Sequence, residues 1–245
     1  MFHKNRIWSV VLLPFMLCLL VGCSSDEENP VTPTPAPQPP AFELRKVTLP
    51  QKMLNSTDAM AKMAVSIITE TMSFEGTGCV FAAPANAQTL AESKSAWEYS
   101  WDEGGVTKRL AITLLPDLNK RKWQVYITGI MDGVSYDNWL FMDAAQLTDL
   151  SSGNVTLNVK VNNRKQLLHY WTWRMDGTNY IFEDSHYKTG VLEKTILITI
   201  NSDNSGSVER KVPIMVDLRI NWDSAGNGTW STYDNGVPKD SGSWN

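Results

Sequence analysis

From Ser95 onward the apolar residues of this chain fall at every second position, the period of a strand buried on one face. Trp97, Tyr99 and Trp101 alternate with polar or small residues ahead of Asp102-Glu103-Gly104-Gly105, and Leu110, Ile112 and Leu114 follow. Trp123, Val125 and Ile127 lead to Met131, where Asp132-Gly133 turns the chain into Val134, Tyr136 and Leu140. Asp-Gly between alternating runs predicts a hairpin, because both residues tolerate positive φ. Alternation resumes over Val155–Val161, Leu167–Met175, a second Asp176-Gly177 turn, Tyr180–His186, Ile196–Ile200, Ile214–Trp222 and Thr229–Tyr233, with a last strand near Trp244. The pattern predicts a mainly β fold of about eleven strands. Short connections make it an antiparallel meander, and a meander this long closes into a barrel or curls into a half-barrel.

Ahead of the sheet the period becomes helical. Ser56-Thr57-Asp58 supplies N-cap chemistry, and Met60, Met63, Ala64, Ile67, Ile68 and Met72 recur on one face before Gly76 and Gly78. This predicts one amphipathic helix over about 56–73, packed on or in the sheet. Pro84 to Ser95 has no clear period and reads as a loop or frayed helix. Residues 41–245 read as a single domain. The order of one helix followed by a meander resembles the half-barrel lipoprotein carriers and receptors of the bacterial envelope, though none of their diagnostic motifs is visible.

The N-terminus changes the picture more than the composition does. Lys4 and Arg6 precede a fourteen-residue apolar run, Ile7 to Leu20, which ends in Leu20-Val21-Gly22-Cys23. The run falls short of the ~20 residues a membrane span needs, and Pro14 interrupts it. Leu-Val-Gly-Cys resembles the lipobox of bacterial lipoproteins. That resemblance implies loss of residues 1–22 as a signal peptide and lipidation of Cys23 as the new first residue. It places the domain in the cell envelope, lipid-anchored at the outer membrane. Residues 23–40 then form the lipidated Cys and a tether, acidic from Asp26 to Glu28 and rich in proline from Pro30 to Pro40. The acidic stretch after Cys23 resembles the surface-export signals of Bacteroidota lipoproteins; a solvated spacer is the other reading.

Charge and cysteine content narrow the classes further. Without Lys4 and Arg6, 20 basic residues face 26 acidic ones, a net of −6 that argues against nucleic acid as a partner. Cys18 leaves with the leader and Cys23 takes the lipid, so Cys79 stands alone and reads as a small buried residue. The C-terminal Gly206-Ser207-Val208, Gly228-Thr229-Trp230 and Gly242-Ser243-Trp244 form a weak repeat with some likeness to MORN repeats, but at unequal spacings.

No hydrolase, metalloprotease, P-loop or dinucleotide signature is present, so neither an enzyme activity nor a cofactor is expected. Asn201–Gly206 and Asp223–Gly228 read as polar turns, since the first lacks a calcium loop's twelfth-position Glu. A turn centred on Asp176-Gly177 would set His169 opposite Asp184, with His186 on the same face. Two His and one Asp there are consistent with metal or acid–base chemistry, yet no further ligand has motif spacing, so a polar rim without metal is expected. The aromatic part of that face holds the candidate ligand-binding residues Trp171, Trp173, Tyr180 and Phe182, with His169 at its end. The sequence therefore points to a non-enzymatic binding module for a hydrophobic or amphiphilic, lipid-like ligand. A surface glycan binder using Trp and Tyr as stacking platforms is the alternative, and a hydrolase with dispersed carboxylates is a third class.

Overall fold

Strands joined by turns of two to five residues can pair only with their sequence neighbours. The computed structural model, which describes residues 38–73 and 81–245, shows that arrangement throughout. The strands are β1 (Gln88–Glu92), β2 (Ala96–Glu103), β3 (Val106–Leu115), β4 (Lys120–Met131), β5 (Val134–Leu147), β6 (Ser152–Val161) and β7 (Arg164–Asp176), continued by β8 (Asn179–Lys188), β9 (Val191–Ile200), β10 (Gly206–Val212), β11 (Met215–Trp222), β12 (Gly228–Asp234) and β13 (Val237–Trp244). All thirteen lie in one sheet in sequence order, each antiparallel to the next, and β1 and β13 form its two open edges.

Two expectations change. Among the described residues the strands number thirteen rather than about eleven, and their sheet does not close into a barrel. The missed strands are β1 and β10. β1 lies where a loop or frayed helix was expected; all five of its residues are exposed, so no alternation marks it. β10 reads as polar because its inward positions are Gly206, Val208 and Arg210, of which only Val208 is a large apolar residue.

The two ends of the sheet are built differently. Two-residue turns join β2–β3, β4–β5, β6–β7, β8–β9, β10–β11 and β12–β13 at one end. Positive φ at both central residues marks Asp132-Gly133, Asn162-Asn163, Thr189-Gly190 and Asn235-Gly236, the geometry that matches strand twist. The opposite end carries the longer loops 116–119, 148–151, 201–205 and 223–227.

A strap crosses the inner face near that longer-looped end. Phe42 packs against Phe81, Trp123 and Trp173. Trp123 Nε1 donates to Pro40 O (3.2 Å) and Gln146 Nε2 to Glu43 O (2.6 Å). A short helix, α1 (Gln51–Leu54), continues the strap, and Lys52 Nζ donates to Asn227 Oδ1 in the 223–227 loop (2.6 Å).

The predicted helix is α2 (Ala59–Ser73). Asp58 caps it, its Oδ1 accepting from the Met60 and Ala61 amides (2.8 and 3.1 Å). Ala61, Ala64, Ile68 and Thr71 are its buried residues, so the contact face is centred beside the expected methionine stripe and Met63 is exposed. Small residues let the helix backbone lie close to the sheet. The helix shares one buried cluster with Trp97, Trp123, Phe182, Ile198, Ile220 and Trp244, among others from β2 to β13. Gly76, Gly78 and Cys79 lie outside the described residues, as do Cys23 and the leader.

Register decides which side chains share that cluster. The Asp132-Gly133 hairpin forms as predicted, Met131 opposite Val134. Bulges after Val125 and Ile127 then set Trp139 opposite Ile127 and Leu140 opposite Tyr126, whereas an unbroken register from that turn would set Trp139 opposite Tyr126 and Leu140 opposite Val125. The second Asp-Gly behaves otherwise: Gly177-Thr178 is the turn, with Asp176 paired to Asn179. Gly177 has φ +59 while Thr178 stays negative, so the glycine takes the first central position. His169 therefore stands opposite His186 rather than Asp184. A slip of two residues keeps every side chain on its expected face.

The C-terminal strands contain a 22-residue repeat that the turns at Gly206, Gly228 and Gly242 only hinted at. Gly206 pairs with Trp222 and Gly228 with Trp244. In each pair the indole ring lies where a glycine Cβ would be, and its Nε1 donates to a loop carbonyl: Trp222 to Asn204 O and Trp244 to Gly226 O, both 2.9 Å. The loops match as well. The Asn201 amide donates to Ser205 O (2.8 Å) and the Asp223 amide to Asn227 O (2.9 Å).

Candidate functional site

Alternation places Trp171 and Trp173 on the inner face of β7, and Tyr180 and Phe182 on that of β8. All four candidate ligand-binding residues are buried, between 0 and 3 % exposed, within the core cluster. Trp173 and Phe182 stack across the strands at 6.2 Å, and Phe42 of the strap meets Trp173 edge-on. Burial pushes the Tyr180 phenol far above its usual range, and its hydroxyl has no hydrogen-bond partner. Trp173 Nε1 also lacks one.

His169, the fifth candidate, belongs to a different chemical neighbourhood two residues along β7. Its ring stacks on Trp171 (4.8 Å, 7°) and stands edge-on to His186 (4.1 Å). Asp184, 4 % exposed, faces a nitrogen of each ring. His186 Nε2 and Asp184 Oδ2 are 2.6 Å apart, a short charge-assisted contact. His169 Nδ1 and Asp184 Oδ1 are 3.5 Å apart, and neither atom makes a hydrogen bond although both are inaccessible to water. Burial alone would raise the Asp184 pKa; the two imidazoles that face the carboxylate outweigh it and hold the group below the usual value.

The three residues come together because Asp184 and His186 share one strand face and His169 lies directly across from His186. Asp184-Ser185-His186 is the only local sequence cue; the third member comes from the register. One nitrogen from each ring and a carboxylate oxygen all lie within 4.8 Å of one another. Across β9, Lys194 pairs with His186 and Ile196 with Asp184.

A cavity of about 380 Å³ opens elsewhere, where the strap meets the first strands. Gln38 to Ala41, Phe81 to Ala85, Ala87, Thr89, Tyr99 and Ile112 line it. Burial and the nearby Glu92 carboxylate push the Tyr99 phenol up. No sequence pattern marks this cavity, because its wall joins a strap and a loop that lack periodicity. No protein-family model and no curated protein matches the chain.

Proposed function

We propose that this protein is a lipid-anchored component of the bacterial cell envelope, held at the outer membrane through Cys23, whose sheet and helix form a non-enzymatic module for a hydrophobic or amphiphilic ligand. In this reading the open sheet is a half-barrel curled over α2. The observation that carries it is the cavity between the strap and β1–β3. At about 380 Å³ it lies within the 300–1,000 Å³ range of small-molecule sites. Its walls combine the ring of Phe81 and the methyls of Ala83 and Ala87 with the polar side chains of Gln38, Thr89 and Tyr99, a mixture that suits an amphiphilic ligand. The lipobox supports the location, since two or three acyl chains hold a protein on a membrane without a spanning segment.

Native mass spectrometry of the purified protein tests the ligand. The expected result is a non-covalent lipid-sized mass that disappears in Ala87→Trp, which fills the cavity from its wall. Repeated preparations without bound mass, together with no uptake from a panel of fatty acids and phospholipids, would overturn the lipid reading. Intrinsic fluorescence that instead responds to oligosaccharides would replace it with glycan binding. For the anchor, Cys23→Ala should abolish radioactive palmitate labelling; persistent labelling would refute it.

A further inference from the structure

We propose that His169, Asp184 and His186 form a binding site for a divalent transition-metal ion, zinc by the chemistry of the set. Two imidazole nitrogens and one carboxylate are the protein ligands of many open zinc sites, which leave a position for water or a bound group. The three ligand atoms already converge within 4.8 Å of one another. Zinc bonds of about 2 Å bring ligand atoms to somewhat over 3 Å apart, so small side-chain rotations suffice.

The second observation is independent of residue type. Asp184 is 4 % exposed, and its Oδ1 faces His169 Nδ1 at 3.5 Å with neither atom hydrogen-bonded. Buried polar atoms are rarely left without partners, because each costs its full desolvation. Here an acceptor oxygen and an imidazole nitrogen face each other as an ion pair too long to be a good hydrogen bond. A cation between them would satisfy both and would replace the 2.6 Å contact between His186 and Asp184. The stack of His169 on Trp171 restricts the ring orientation. Lys194, paired with His186 on β9, supplies the opposing influence, a positive charge beside the bound cation.

This site is distinct from the cavity at the strap, and its test does not depend on lipid binding. The full chain, stripped with chelator, is titrated with zinc and, separately, with cobalt(II). Zinc should raise the thermal midpoint, and cobalt should give the intense d–d absorption of a low-coordinate site. The double variant His169→Gln/His186→Gln should lose the cobalt band and weaken zinc binding by more than about tenfold, the least that disturbing even an outer hydrogen-bond partner of a ligand costs. Lys194→Gln should tighten binding. Circular dichroism confirms that each variant folds. Should the double variant not fold, X-ray absorption of the zinc-loaded wild-type protein decides, with two imidazole scatterers expected in the first shell. Absence of a zinc shift and a cobalt band in the wild-type protein would overturn the proposal. So would zinc affinity unchanged in the folded double variant, or a first shell without imidazole.

Discussion

The β7–β8 hairpin and the β10–β13 repeat lie on the same sheet and bury the same kind of aromatic residue, but they treat polar atoms in opposite ways. In the repeat, Trp222 and Trp244 each rest on a glycine and each give their Nε1 hydrogen to a loop carbonyl at 2.9 Å. On β7, Trp173 rests on Gly153 in the same manner, yet its Nε1 has no partner. Among the described residues, five of the eight side-chain polar atoms buried without a hydrogen bond belong to β7 and β8, and none to β9–β13. The repeat is built for stability, since packing and hydrogen bonding agree there at every level. The hairpin holds desolvated polar groups that packing alone does not explain.

The largest effect should come from removing a ring in the repeat. Trp222→Ala deletes a buried indole over Gly206 together with its bond to Asn204, and should cost about 3–5 kcal/mol in denaturant unfolding. A loss below about 1 kcal/mol would show that the repeat does not carry stability, and the distinction from β7–β8 would fail.

The opposite sign is expected on the hairpin. Replacing His169, Asp184 and His186 together by Val, Leu and Val removes a desolvated carboxylate and the two imidazoles that face it. Such replacements range from neutral to stabilising by about 1–4 kcal/mol when volume is kept. Loss of more than about 1 kcal/mol, read from the same denaturant curves, would place the cluster among the structural elements instead. The same triple variant should bind no zinc, which separates stability from ligand chemistry in one protein.

Gly228→Ala tests the third element, the close approach of ring to backbone. An added Cβ would meet the Trp244 ring and, at 2.6 Å, Asn221 O. Overpacking of this kind costs about 1–3 kcal/mol. An Ala variant as stable as the wild type would mean that the indole can move aside freely.

How much of this was legible depended on whether side chains announced their faces. The alternation of Trp171, Trp173, Tyr180 and Phe182 placed all four correctly, and a two-residue slip at Gly177-Thr178 left that placement intact because the side-chain period is two. The same slip changed which residues stand opposite one another, and with it the geometry of His169, Asp184 and His186. Bulges in β5 were invisible for a related reason: nothing in the local composition marks the extra residue that changes the partners of Trp139 and Leu140. The 22-residue repeat escaped because its equivalent positions are matched by backbone bonds and by Gly–Trp contact; Gly206-Ser207-Val208 and Gly228-Thr229-Trp230 share little beyond the glycine. Strand β10 was hidden by the same economy, since a glycine beneath a distant tryptophan reads as a turn residue.

The smallest effect concerns Glu209, whose pKa, like that of Asp184, is held down by basic side chains that outweigh burial. Glu209 on β10 is partly desolvated, which works against its charge, but Arg219 at its Oε2 and Lys211 at its Oε1 (3.2 Å) hold the carboxyl below its ordinary value. The Arg219 side chain is 45 % exposed, so the pair is screened by solvent and contributes less than about 1 kcal/mol. A carboxyl whose pKa is depressed on folding stabilises above its unfolded value of about 4.5 and loses that contribution as pH falls through the folded value. Glu209→Gln should therefore lower the thermal midpoint slightly at pH 7 and not at all at the acid end of the folded range, and added salt should shrink the pH 7 difference. A shift that survives molar salt would mean that Glu209 acts through packing of its stem rather than through charge. The repeat would then resemble the hairpin less in its electrostatics than the shared direction of the two shifts implies.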